Sequence, residues 1–187
     1  MDDLSALHAE MGKHGGTVRI LLDHLDQVKF LEEYEGMQEH PKTWSAFVKI
    51  DDGHKYVHCI LSCHIAYNHR RAGIPLEPES FKAFMRRVFA SPVISVFGFY
   101  VHAGNTYGST SLQQATSLLT GEVRLANDAA ALALEVQAEL GTSVVNDPIL
   151  PFVLSVGTTP TAHAANAEAK LQMTSMLNGK LELHAGT

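Results

Sequence analysis

Short apolar runs alternate along this chain with stretches whose apolar positions recur every three or four residues. Residues 17–23 (TVRILLD), 44–51 (WSAFVKID), 93–102 (VISVFGFYVH), 152–157 (FVLSVG) and 180–184 (KLELH) read as five strands. Residues 3–14, 27–34, 77–90 and 122–140 carry the helical period. In 77–90 it places Phe81, Phe84, Met85 and Val88 on one face. Gly15-Gly16 and Gly141 close the first and last of these helices.

Helices alternating with short buried strands predict an α/β fold with a parallel sheet, covered on both faces. In a barrel or an open sheet of this kind, ligand-binding loops follow the C-terminal ends of the strands. Glycine, threonine, histidine and tyrosine gather at those ends, in residues 51–53, 102–109, 157–161 and 184–187. These clusters are the expected functional loops.

Composition narrows the class. Hydrophobic residues make up 45% and charged residues 18%, the balance of a packed domain rather than a disordered chain. The net charge of −6, with no basic stripe, argues against a nucleic-acid partner. No apolar run reaches the roughly 18 residues that a membrane span needs. The N-terminal stretch lacks the basic start and apolar block of a signal peptide, so a cytoplasmic location is expected.

Three loops carry candidate chemistry. In SVGTTPT (155–161), Gly157 permits close backbone approach, and Thr158 and Thr159 offer donors before a helix-like segment, a turn that suits a phosphate. In FGFYVHAGNTYGS (97–109), Tyr100 and His102 share one face at a strand end, and Tyr107 follows in the loop. After KIDDGHK (49–55), Arg71 precedes Gly73, where a guanidinium can hold a carboxylate or a phenolate oxygen.

In order, VKIDDG…RAG, YVHAGNTYG, LSVGTTPTAH and LELHAG resemble the D-serine dehydratase-like branch of the alanine-racemase-type pyridoxal-phosphate enzymes, with D-threonine aldolases as the neighbouring branch. The resemblance implies a (β/α)8 TIM-type barrel that holds pyridoxal phosphate, then a β-rich domain. It implies that Tyr107, Gly157, Thr158, Thr159 and His102 line the cofactor and that Arg71 approaches its phenolic oxygen. It also implies a small D-amino acid substrate, a lysine that takes the α-proton, a zinc ion that helps the β-hydroxyl leave, and a homodimer. Retro-aldol cleavage of a D-threonine-type substrate, or cofactor binding without turnover, are the alternatives on the same barrel.

Two departures shape the expectation. The family's Schiff-base lysine stands in a His-x-Lys-Thr-like stretch on the first barrel strand, and nothing before residue 17 resembles it; His40-Pro41-Lys42-Thr43 precedes the wrong strand. The His-x-Cys zinc pair of the dehydratases has no counterpart either. Residues 1–187 are therefore expected to form a partial barrel of the alanine racemase N-terminal kind, without the first strands and the C-terminal β domain. No catalytic or metal-binding residue is assigned, and the chain alone is expected to be inactive.

Residues 56–70 (YVHCILSCHIAYNHR) interrupt the resemblance. His58-Cys59 and Cys63-His64 are adjacent pairs, not the ligand spacing of a zinc site. Removing these 15 residues leaves DGHKRAGIP, continuous with the family pattern. With suitable codons the two joins spell intron boundaries, so a translated intron is the expectation.

Overall fold

In the computed structural model the described residues are 19–51, 73–103, 106, 108–141, 151–158 and 177–184, with the helical Ala6 and Ala9. Five strands pair in parallel and in chain order: β1 (Arg19–Leu22), β2 (Trp44–Lys49), β3 (Ile94–Val101), β4 (Phe152–Val156) and β5 (Gly179–Leu183). Three helices lie between them: α1 (Leu25–Gly36), α2 (Pro78–Phe89) and α3 (Leu112–Leu140).

Every second strand residue joins the core. Trp44, Ala46, Val48 and Ile50, Ile94, Val96, Phe99 and Val101, and Phe152, Leu154 and Val156 cluster with the buried faces of all three helices. The intervening positions stand outside that cluster; Ser45, Lys49, Ser95, Phe97 and Tyr100 are half-buried. Among the described residues the helices pack on one face, while Phe47, Val153 and Ser155 are buried on the other. Sequential parallel order with one helix-covered face is the arc of a TIM-type barrel, because a doubly wound sheet reverses its strand order and covers both faces.

Local chemistry explains the elements. Glu77 caps α2 by accepting from the Ser80 N–H at 2.9 Å, with Pro78 at the first helical position. Helix α3 begins ten residues before the expected 122, because Ser111 caps it by accepting from the Gln114 N–H at 3.2 Å. Thr116 and Thr120 then return their hydroxyls to backbone carbonyls four residues back, which lets a Ser/Thr-rich stretch stay helical. The fully buried Ala126, Ala129, Ala130 and Ala133 bring α3 close against the sheet. Phe99 sits at the centre, edge-on to Phe152 with ring centroids 5.2 Å apart.

Two features set the geometry of the strand ends. The β2–β3 register shifts after Ala46, so that Phe47 pairs with Gly98 and β3 carries one extra residue. A Cβ on Gly98 would lie 1.9 Å from the Val153 carbonyl oxygen, so only glycine lets β3 and β4 approach this closely. At the end of β2, Asp51 N–H donates to the Ile74 carbonyl (3.0 Å) and Ile74 N–H to the Lys49 carbonyl (2.8 Å). The chain thus leaves β2 and returns to the same point. Residues 56–70 lie outside the described residues.

Candidate functional site

Register aligns Lys49, Tyr100, Ser155 and Glu182 in one row across β2, β3, β4 and β5, on the face away from the helices. One step further toward the strand ends come His102 and His184. Alternation in each strand keeps Tyr100 and His102, and Glu182 and His184, on that same face. Their rings form a nearly parallel set: Tyr100 and His184 have centroids 4.6 Å apart and planes 11° apart, and His102 and His184 are 6.0 Å and 14° apart.

Ser155 links this set to an acid. Its Oγ donates to Glu182 Oε1 at 3.2 Å and lies 3.1 Å from His184 Nδ1. Burial, then the charge of His102, hold the His184 imidazole below its ordinary pKa, against the opposing pull of Glu182 and the Gly157 backbone. His184 is therefore neutral at pH 7. Its Nε2 is buried and makes no hydrogen bond among the described residues.

The neighbouring loops are tied together. Gly157 ends β4 with φ at 117°, a conformation that residues with a side chain rarely adopt. Next to it, the buried Thr158 Oγ1 lies 2.7 Å from Thr106 Oγ1. Thr106 spends its one hydroxyl proton on the Ala103 carbonyl at 2.9 Å, so Thr158 is the donor of the pair. The buried Glu122 of α3 accepts the Ala103 N–H at 2.7 Å, fixing the chain just after His102.

Of the residues singled out from the sequence, His102, Gly157 and Thr158 meet at this edge. Tyr107, Thr159 and Arg71 lie outside the described residues. Thr106 and His184 fall within the loops expected to be functional but were given no role there, and sequence reasoning missed Ser155, Glu182 and Glu122. The period-two alternation in LSVG and LELH was a usable signal for Ser155, Glu182 and His184. Glu122 gave none, since a glutamate in a helix reads as solvent-facing until α3 is packed against the β3 loop.

The chain is 34% identical over 179 residues to the D-serine dehydratase of Schizosaccharomyces pombe, covering 95% of this chain and 37% of that protein. It belongs to the D-serine dehydratase-like family. The D-serine dehydratase of Saccharomyces cerevisiae is 28% identical over 187 residues, 96% of this chain and 38% of that protein. This member of the family thus spans less than two fifths of the length of either curated relative. No family model matches it. Among solved structures, D-threo-3-hydroxyaspartate dehydratase from Delftia sp. HT23 superposes with a TM-score of 0.59 at 20% identity, over 97% of this chain and 38% of that one. An alanine-racemase-like protein from Idiomarina loihiensis gives 0.56 at 21%, with the same coverage. Both share its fold, which is that of the alanine-racemase-type barrel. Among the described residues no three His, Cys, Asp or Glu side chains are grouped to hold a metal ion, and no helix is long and apolar enough to cross a membrane.

Proposed function

We propose that this chain forms the cofactor-holding edge of a pyridoxal-phosphate-dependent D-serine dehydratase, which converts D-serine to pyruvate and ammonia. The observation that carries this reading is the buried Nε2 of His184, which makes no hydrogen bond among the described residues and stands among the near-parallel rings of Tyr100 and His102. A buried acceptor without a partner costs about 1–3 kcal/mol, a cost that a bound ligand removes. A flat ring with its own hydrogen-bonding groups fits such a place, and the turn beside it, opened by the positive-φ Gly157, fits a phosphate.

In this reading the phosphate would be held by backbone donors at Gly157 and Thr158 and by the hydroxyls of Thr159 and Tyr107. His102 would help hold the ring, and Arg71 would supply a cation for its phenolic oxygen. Pyridoxal phosphate, when bound, supplies stabilisation of negative charge at the substrate α-carbon. Tyr100, His102 and His184 orient it and keep water from one side. No lysine of this chain is assigned as its covalent anchor. The zinc that assists loss of the β-hydroxyl in the relatives is likewise assigned no ligand here.

The test is optical. Pyridoxal phosphate is added to the purified chain until binding saturates, and D-serine or L-serine follows. Saturable binding, with an absorbance change that D-serine produces and L-serine does not, is the expected result. Borohydride treatment is expected to leave no stoichiometric label on any one lysine, and D-serine to yield no pyruvate. An equal response to both enantiomers would defeat the substrate assignment. Labelling of a single lysine together with pyruvate release would show a self-sufficient enzyme instead.

A further inference from the structure

The Ser155 hydroxyl lies between an acid and a base. It has one proton to give, and its geometry directs that proton to Glu182 Oε1 at 3.2 Å, an oxygen that can only accept while ionised. With the serine proton on Glu182, the 3.1 Å contact to His184 Nδ1 is a hydrogen bond in which the ring donates and Ser155 accepts. A neutral imidazole carries one N–H, so a proton on Nδ1 leaves Nε2 as a lone-pair acceptor. That nitrogen is the buried one with no hydrogen bond among the described residues. Glu182 is exposed, whereas Ser155 is buried and His184 is half-buried.

From this arrangement we propose that Ser155 is a positioning residue that selects the Nδ1–H tautomer of His184, so that Nε2 accepts a hydrogen bond from an N–H or O–H group of the ligand. The ligand part of this proposal rests on the cofactor reading above; the tautomer part rests on the protein alone. Ser155 touches no reacting atom in this scheme. It acts through His184, as an outer hydrogen-bond partner fixes the tautomer of a working histidine. A lone proton donor at Nε2 would match a ligand acceptor instead, so Ser155 decides which kind of ligand group this edge takes.

Nitrogen-15 spectra of the histidine-labelled full chain at pH 7.5 test both parts, with His184→Gln to assign the signals. In the wild type, His184 is expected to show a pyrrole-type Nδ1 and a pyridine-type Nε2. Ser155→Ala should shift the proton population toward Nε2, and Ser155→Thr, which keeps the hydroxyl, should restore the wild-type pattern. Glu182→Lys replaces the acceptor with a donor at an exposed position. It should turn the serine proton onto Nδ1 and move the ring proton to Nε2, which keeps the test available if Ser155→Ala fails to fold. A wild-type ring protonated on Nε2, or a tautomer that neither Ser155→Ala nor Glu182→Lys changes, would overturn the proposal. Adding pyridoxal phosphate to the wild type should then move the Nε2 signal more than the Nδ1 signal. An unmoved Nε2 with the tautomer intact would defeat the cofactor reading and leave the positioning role standing.

Discussion

Thr158 donates to Thr106 across 2.7 Å, and through this one bond the loop after β4 is fastened to the loop after β3. Both side chains are buried, so removing either hydroxyl takes away a buried hydrogen bond that joins the two loops. Thr106→Val and Thr158→Val should each cost about 1–3 kcal/mol in urea unfolding. The double variant should cost clearly less than the sum of the two, because the bond they share is already lost after the first change. Additive effects would mean that the two hydroxyls do not depend on each other.

At the opposite end of the sheet, the buried Glu35 accepts from Trp44 Nε1 and from the Lys42 N–H, each at 2.7 Å. Glu35→Ala should therefore cost about 1–3 kcal/mol for each donor left unsatisfied. Trp44 is the sole tryptophan, so its fluorescence reports the change directly. A variant with unchanged emission and unchanged stability would contradict the pairing.

His184 sets an acid limit on stability. Burial lowers its pKa in the folded chain below the ordinary value of about 6.5. The unfolded chain therefore takes up this proton first, and the contribution is complete above about pH 6.5 and lost as pH falls toward the lower folded value. The lowered carboxyls of Glu32, Glu77 and Glu139 act in a more acidic window. The stability advantage of wild type over His184→Gln should shrink between pH 7.5 and pH 5.5 in urea titrations. An advantage that grows on acidification would reverse the sign argued here.

Much of the fold was legible because periodicity survives packing. Four of the five apolar runs contain one observed strand and the fifth overlaps β5, which starts one residue earlier at Gly179, and the face of Phe81, Phe84, Met85 and Val88 is the one α2 buries. The start of α3 was not legible, since serine and threonine favour loops until a cap and hydroxyl-to-backbone bonds commit them to a helix. The one-sided cover was hidden for another reason. Val153 and Phe47 are apolar on the face away from the helices, which makes β2 and β4 look buried from both sides. At the candidate site, Gly157, Thr158 and His102 announce themselves by residue type. Ser155 and Glu182 matter only through contacts made across strands.

The hydrogen bonds between Asp51 and Ile74 and between Ile74 and Lys49 make the segment between them removable. Deleting residues 56–70 shortens the connection between Asp51 and Gly73 from 21 residues to six, which lowers the loop-closure cost by about 1 kcal/mol. We propose that this segment is an insertion foreign to the barrel, and the deletion variant should unfold at the same or a higher temperature than the wild type. A collapse of stability on deletion would show that the segment belongs to the fold.

Calorimetric titration of the purified chain with pyridoxal 5′-phosphate, beside pyridoxal without the phosphate, tests the central claim most directly. The account predicts one saturable site for the phosphorylated compound and at least tenfold weaker binding of pyridoxal, a difference of about 1.4 kcal/mol. Gly157→Ala, which strains the turn, should erase that preference. Equal affinity for the two compounds, or a phosphate preference that Gly157→Ala leaves intact, would contradict a cofactor site at the ends of β3, β4 and β5.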